Sequence, residues 1–118
     1  MFDTLSVEVE GAIGRLQLNQ PEKLNPLSRQ ALSELAKAAH WFNAQSDAKV
    51  VVVSGAGRAF SAGADLSAFQ GQPEGDMRAA ADQGRLMAEA LESMRAVSIA
   101  AIHGWCVGGG LVLAAACD

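Results

Sequence analysis

Two glycine-rich segments carry the residue types best suited to chemistry. The first, SGAGRAFSAGADL, spans residues 54–66 and follows a run of valines; the second, HGWCVGGGLVLAAACD, spans residues 103–118. Backbone that is rich in glycine and alanine can approach a ligand closely, and its N–H groups can surround an anion. If an N–H near Gly63 to Asp65 meets one near Gly109, the pair forms an oxyanion hole.

Other interpretations of these loops are weaker or less specific. GAGRAF begins like a dinucleotide-binding fingerprint, but Phe60 stands where the third glycine belongs and no regular helix is predicted directly after it. The chain has no G-K-[ST] and therefore no P-loop. Each loop alone is explained by tight turns and close packing of a helix on a strand, and only the two together favour a site.

Strand signals place both loops after buried strands. LSVEVEGAIGRLQLN alternates apolar and polar residues around Gly11 and predicts a hairpin. KVVVVSG lacks alternation and predicts a strand covered on both faces, and AVSIAAIHG predicts another uncharged strand. The carboxyl ends of parallel strands are where α/β sheets bind ligands, so the two loops are expected at one edge of the sheet.

Helices are predicted between these strands, which makes the fold class α/β. The first should begin near Asn25 with Pro26 at its first position. Asp65 can cap a short helix that ends at Phe69. A long helix is predicted from Asp76 to Arg95, and the last helix is predicted to begin at the triple glycine. The first helix has apolar residues at helical spacing: Leu27, Leu32, Leu35, Ala39 and Phe42.

Composition indicates one globular domain over residues 1–118, since 50% of the residues are apolar and 19% are charged. The net charge of −4 with scattered Lys and Arg argues against a nucleic-acid surface. Two cysteines and an acidic amino terminus without an apolar signal segment favour a reducing, cytoplasmic location.

The segment from Ala96 to Cys117 has no charged residue and is long enough to span a bilayer. Its glycines each cost a helix about 1 kcal/mol, which favours a buried strand, turn and helix instead. The last helix is the most apolar segment and nothing follows to cover it. We therefore expect these residues to be the amino-terminal part of a longer protein.

These segments resemble the signature segments of the crotonase superfamily, the enoyl-CoA hydratase/isomerase family. GRAFSAGADL and AIHGWCVGGGLVLAAACD are similar to its two motifs, and NQPEKLNPLS is similar to the segment before its first long helix. The resemblance implies a spiral of ββα units, an acyl-CoA thioester substrate that brings its own coenzyme A, no separate cofactor and no metal. It also implies a homotrimer or hexamer.

The resemblance also assigns residues. It places the oxyanion hole at the N–H groups of Ala64 and Gly109. It places coenzyme A against the first loop and the segment before the first helix, at Lys23, Leu24, Arg58, Ala62, Asp65 and Leu66.

One position departs from the family's hydratases. They carry a glutamate three residues after the middle glycine, where this chain has Val112. A valine cannot activate water or deliver a proton, so hydration is doubtful. The resemblance implies that isomerases, decarboxylases, hydrolases and dehalogenases of the superfamily place their acid or base elsewhere. Val112 is expected to line the acyl pocket; the alternative is that it points into the core.

Three hypotheses follow from these residues. The first is an acyl-CoA lyase or isomerase that stabilises an enolate, the second a non-catalytic CoA-thioester-binding protein of the same fold, and the third an assembly module. His103 and Cys106 are poor evidence for a metal site or a nucleophile, and His103 is expected to support the second loop through a hydrogen bond.

Overall fold

A computed structural model describes residues 2–64 and 74–118. The described residues form strands and helices in the alternating order that the sequence predicts. The strands are β1 (Leu5–Glu10), β2 (Ile13–Leu18), β3 (Pro26–Leu27), β4 (Val50–Gly55), β5 (Gly63–Ala64) and β6 (Val97–Ala100). The helices are α1 (Arg29–Gln45), α2 (Glu74–Glu92) and α3 (Gly109–Ala116), with a short 3-10 helix at Pro21–Lys23.

Four strands form the main sheet in the order β1-β2-β4-β6. β1 and β2 are the predicted antiparallel hairpin, whose turn contains Gly11 at φ +61°. β2 pairs parallel with β4, and β4 pairs parallel with β6. The predicted α/β class with parallel pairing is therefore confirmed. Because β4 and β6 are parallel, the loops that follow them leave the sheet at the same end, where the carboxyl ends of the strands lie.

The hydrophobic core lies between this sheet and the helices. Leu16 and Val51 are fully buried against Leu35 and Phe42 of α1. α2 adds Met87 and Leu91, and α3 adds Leu113 and Ala116. The helical spacing predicted for α1 is confirmed for Leu32, Leu35, Ala39 and Phe42, which pack in or against this core. Leu27 is an exception, because it lies in β3 and not in the helix.

The prediction that β4 is covered on both faces is wrong for the described chain. Val51 and Val53 are fully buried, whereas Val50 and Val52 are only partly buried. The helices contribute to one core on one face of the sheet, and among residues 2–64 and 74–118 nothing covers the other face to the same depth.

The predicted start of the first helix is also wrong. Ser28, not Asn25, is the N-cap of α1, and its side-chain oxygen accepts a hydrogen bond from the N–H of Ala31 at 3.1 Å. Pro26 lies in β3 and pairs with Gly63. Asn25 adopts φ +52°, a left-handed conformation that asparagine tolerates better than most residues, so it belongs to a turn.

The other helices follow the sequence more closely. The predicted long helix is α2, which begins two residues earlier than expected and ends at Glu92, and α3 begins at the triple glycine. The short helix expected from Asp65 to Phe69 lies outside the described residues. Across the described ranges, none of the helices has the length and hydropathy that a membrane crossing requires.

Candidate active site

The first glycine loop lies between two other segments of the chain. On one side, the N–H of Ala62 donates to the carbonyl of Leu24 at 2.9 Å. On the other side, the N–H of Ser61 donates to the carbonyl of Trp105 at 3.0 Å, and the N–H of Val107 donates back to the carbonyl of Ser61 at 3.2 Å. Segments that are distant in sequence thus form a small parallel arrangement beside the main sheet.

Gly63 is the point where the two glycine-rich loops meet. Its φ is +95°, and a Cβ added there would lie 2.8 Å from the carbonyl oxygen of Val107 and 3.3 Å from the backbone nitrogen of Gly109. Only glycine permits this approach. The backbone just before Ala64 therefore lies against the start of α3, which brings the two predicted loops together.

Gly109 is the first residue of α3, after Gly108 as N-cap. The next N–H groups are used, because Gly110 donates to Val107 and Leu111 donates to Gly108. Within the described part of the chain the N–H of Gly109 has no acceptor. A helix of eight residues also places a partial positive charge at this end, which favours an anionic oxygen.

Ser61 holds Gly63, where the two loops meet, in position. It is fully buried; its hydroxyl donates to the carbonyl of Asn25 at 2.7 Å and accepts from the N–H of Gly63 at 3.1 Å. A Cβ at Gly110 would lie 2.7 Å from the carbonyl oxygen of Ser61, so α3 packs directly against the backbone at Ser61. The hydroxyl of Ser61 is therefore a positioning group for the loop rather than a nucleophile.

Asn25 is a supporting residue that sequence reasoning assigned to a different role. Its side chain is 2% exposed; its amide donates to the carbonyls of Ala56 and Ala59, both at 2.9 Å, and its oxygen accepts from the N–H of Gln20 at 2.8 Å. These bonds hold the first half of the first loop against the segment before β3. The preference of asparagine for left-handed turns is the signal that pointed to this role.

His103 joins the second loop to the first, as the sequence predicts. Its Nε2 lies 2.7 Å from the carbonyl oxygen of Gly57, and since a carbonyl only accepts, Nε2 donates. Cys106 is partly buried, and its backbone forms an isolated parallel β-bridge with that of Ser61. Among the described residues no group of three or more His, Cys, Asp or Glu side chains is placed to hold a metal ion.

An open cavity of about 280 Å³ lies beside the first loop and is lined by Leu24, Arg58, Gly104 and Trp105. Two of the residues expected to bind coenzyme A, Leu24 and Arg58, therefore share one surface. Lys23 is exposed at the end of the 3-10 helix, directly before Leu24. Sequence reasoning did not single out Trp105, because its exposure depends on the path of a loop.

Of the remaining predicted site residues, the structure describes two and leaves two outside the described ranges. Val112 is 52% exposed and lies one turn into α3, so the alternative that it points into the core is wrong. Ala62 is partly buried and is held by Leu24. Asp65 and Leu66 lie outside the described residues.

Solved structures that resemble this chain carry enoyl-CoA hydratase names. An enoyl-CoA hydratase/carnithine racemase from Magnetospirillum magneticum superposes with a TM-score of 0.93 at 35% identity, covering 100% of this chain and 45% of that chain. A putative enoyl-CoA hydratase/isomerase family protein from Hyphomonas neptunium superposes with a TM-score of 0.91 at 32% identity, covering 98% of this chain and 45% of its own.

Curated relatives agree with these structures. A probable enoyl-CoA hydratase of Rhizobium meliloti is 37% identical over 99% of this chain and 45% of its own length. A mitochondrial Delta(3,5)-Delta(2,4)-dienoyl-CoA isomerase of Mus musculus is 36% identical over 96% of this chain and 39% of its own length. The chain thus spans less than half the length of the relatives it matches.

The sequence profile of the Enoyl-CoA hydratase/isomerase family matches residues 8–118, which is nearly the whole chain. The described fold, the two meeting glycine loops and the relatives all agree with this match. The chain belongs to the enoyl-CoA hydratase/isomerase family.

Proposed function

We propose that the protein acts on acyl-CoA thioesters and that the N–H groups of Ala64 and Gly109 bind the thioester oxygen. The observation that carries the proposal is the contact between the two loops, where a Cβ on Gly63 would lie 3.3 Å from the nitrogen of Gly109. The names of relatives, which include both hydratases and dienoyl-CoA isomerases, support the substrate class.

Two fixed N–H groups match the chemistry of a thioester that loses a proton next to its carbonyl. Negative charge then builds on the carbonyl oxygen as the enolate forms. Donors that are already in place stabilise this charge more than they stabilise the neutral thioester, and this difference lowers the barrier. The helix end at Gly109 adds to the same effect.

An oxyanion hole alone does not determine which reaction occurs, because the reaction depends on the groups that move protons. Val112 stands where the hydratases of the family carry a glutamate, so we favour a lyase or isomerase reaction through the enolate over addition of water. Coenzyme A is then part of the substrate rather than a separate cofactor. We further propose a homotrimer or hexamer in the cytoplasm, although relatives carry mitochondrial and peroxisomal names.

The test removes one donor without removing a side chain. Proline has no N–H, and it is well accepted at the first position of a helix, which Gly109 occupies. We expect Gly109→Pro in the intact protein to lower kcat by about 100- to 1,000-fold on an acyl-CoA substrate. Arg29→Pro is the matched control, since Arg29 is the first residue of α1 and lies outside the glycine loops.

The outcomes separate the proposal from its alternative. Full turnover by a Gly109→Pro protein with an unchanged circular dichroism spectrum shows that the oxyanion is bound elsewhere. Tight binding of acyl-CoA without turnover of 2-enoyl or 3-enoyl thioesters by the unmodified protein instead supports a non-catalytic CoA-thioester-binding or assembly protein of the same fold.

A further inference from the structure

Ser61 is a fully buried residue whose N–H, carbonyl and hydroxyl groups are all hydrogen-bonded to other segments or to its own loop. Its N–H donates to the carbonyl of Trp105 at 3.0 Å, and its carbonyl accepts from the N–H of Val107 at 3.2 Å. Its hydroxyl donates to the carbonyl of Asn25 and accepts from the N–H of Gly63. The backbone of Ser61 is thus bound to the second glycine-rich loop, whereas its side chain is bound to the first loop and to the segment before β3.

The hydroxyl restrains the first proposed donor, because it holds the residue directly before Ala64. Gly63 has φ +95° and no side chain, so it does little by itself to fix the peptide that carries the N–H of Ala64. The pairing of β5 with β3 involves only two residues in each strand and is a weak restraint. The bond from the N–H of Gly63 to the hydroxyl, at 3.1 Å, therefore limits how far the Ala64 N–H can turn.

The backbone of the same residue locates the second proposed donor. A Cβ at Gly110 would lie 2.7 Å from the carbonyl oxygen of Ser61 and 2.9 Å from its Cβ, so the first turn of α3 packs on Ser61. Val107, two residues before Gly109, is hydrogen-bonded to the same carbonyl. Ser61 therefore contacts the supports of both proposed donors, and a hole that is rigid before the reaction needs such a common support.

The hydroxyl is unsuited to chemistry of its own. It is 0% exposed, and its one proton is donated at 2.7 Å to a backbone carbonyl, which cannot act as a base. Removing it takes away a hydrogen-bond partner from the N–H of Gly63 and from the carbonyl of Asn25. Any effect on the reaction must then come through the position of the loop.

We infer that Ser61 is a positioning residue for the oxyanion hole, whose hydroxyl sets the direction of the Ala64 N–H and whose backbone sets the place of Gly109. The inference rests on the proposed function, which supplies the two donors. It goes further because it makes the rate of enolate formation depend on a buried side chain that substrate does not touch.

The first experiment measures steady-state kinetics of the intact protein on an acyl-CoA substrate. We expect Ser61→Ala to lower kcat by roughly 100-fold, because a displacement of about 1 Å near a reacting centre has an effect of that size. KM should be unchanged, since the loss concerns the charge that develops in the transition state and not the binding of the neutral thioester. Ser61→Cys keeps a weak donor and acceptor and should restore part of kcat.

Ser98→Ala is the matched control. Ser98 is also fully buried, it lies in β6, and its hydroxyl accepts from the N–H of Asp118 at 3.0 Å. Both alanine variants should lower Tm, but only Ser61→Ala should lower kcat. An unchanged kcat of Ser61→Ala overturns the inference and leaves the proposed function intact. An equal fall of kcat in both variants also overturns it, because the effect is then one of general stability.

A 3-oxoacyl thioester tests the hole without turnover, because its enolate absorbs in the near ultraviolet more strongly than its neutral form. Acetoacetyl-CoA bound to the unmodified protein should show this enolate band, and Ser61→Ala saturated with the same compound should show less of it. Equal bands in the two proteins overturn the inference, although the hole itself stands. Absence of the band from the unmodified protein counts against the proposed function.

Amide exchange depends on neither activity nor ligand. The N–H of Gly63 should exchange with deuterium roughly tenfold faster in Ser61→Ala than in the unmodified protein, the effect of losing one hydrogen bond. Faster exchange in a protein that forms no enolate leaves Ser61 as the support of Gly63 while the proposed function fails. Unchanged exchange overturns the role of the hydroxyl, whatever the activity of the protein.

Discussion

In the proposed function, the choice between hydration and enolate chemistry depends on Val112. It is half exposed, one turn after Gly109, and it carries no group that could hold or deprotonate water. If Val112 lines the acyl pocket as proposed, its apolar side chain excludes water there, which suppresses competing hydrolytic steps.

We therefore expect weak hydration of crotonyl-CoA by the intact protein. Val112→Glu should raise the hydration rate by about 100-fold, the usual contribution of one positioned acid or base. Val112→Gln is the control, since it has similar size but cannot accept or deliver a proton. Hydration at an ordinary enzyme rate by the unmodified protein would show that this position does not decide the reaction.

Asn25 is a second residue with a measurable role. Replacing it with alanine leaves the N–H of Gln20 and the carbonyls of Ala56 and Ala59 without their partner. We expect Asn25→Ala to lower the free energy of unfolding by about 3 kcal/mol in a urea titration. Asn19→Ala, at an exposed position in the same segment, should change it by less than about 0.5 kcal/mol.

The sequence predicts which two loops meet better than it predicts the groups that hold them. Glycine clusters after buried strands point to Gly63 and Gly109 because residue type alone reports the close approach. Asn25 shows the limit: an asparagine before a proline fits both a helix N-cap and a left-handed turn. The long-range bonds to Ala56 and Ala59 decide between them, and no local pattern contains these bonds.

At the scale of elements, a carboxylate on α1 binds the two residues that precede β1. Glu34 is 8% exposed and accepts hydrogen bonds from the N–H and hydroxyl of Thr4, both at 2.8 Å, from the N–H of Asp3 at 3.2 Å and from Gln30 at 3.0 Å. Burial by itself raises the pKa of Glu34, but these bonds outweigh burial and leave the pKa below its ordinary value of 4.5.

This shift makes stability depend on pH in one direction. The unfolded chain binds the proton more readily than the folded chain, so the contribution of Glu34 is fully present above pH 4.5 and is lost as pH falls through the lowered folded-state pKa. We expect Glu34→Gln to reduce the slope of unfolding free energy against pH below 4.5, measured by urea titrations. Glu89→Gln, an exposed carboxylate on α2, should keep more of that slope than Glu34→Gln does; equal slopes for the two variants would contradict the assignment.

Elements with a long regular pattern are predictable, and short ones are not. The hairpin, α1 and α2 follow from periodicity, and β4 follows from its unbroken run of valines. The pairing of β3 with β5 involves two residues in each strand, which is too short for any period to show. The partial exposure of Val50 and Val52 could not be predicted either, because a run of valines fits a strand covered on one face or on both.

At the scale of the whole molecule, exposed large apolar side chains concentrate in the last quarter of the chain. Val97 and Ile99 lie on the same face of β6, which is the outer strand of the described sheet, and each is about half exposed. The others in this part are Ile102, Trp105, Val107, Leu111 and Val112. Monomeric proteins rarely leave so much apolar surface in one region.

We expect the 118-residue chain, produced by itself, to self-associate in sedimentation velocity experiments. Ile99→Lys should reduce the association by placing a charge on the exposed face of the edge strand. Val9→Lys, which adds the same charge to a 37% exposed position of β1 at the other edge, is the matched control. A monodisperse monomer with a cooperative unfolding transition would refute this expectation.

The close approaches at Gly63, Gly104 and Gly110 have a consequence for how such a site can vary. At each of these positions a Cβ would collide with the backbone of a neighbouring segment, at Val107, Arg58 and Ser61 respectively. The proposed donors belong to the main chain, so a substitution at Ala64 keeps its N–H unless proline is introduced. Mutational scanning of such a site should find its strongest intolerance at residues that never touch substrate. The side chains around the proposed oxyanion hole are left free to diverge towards new reactions.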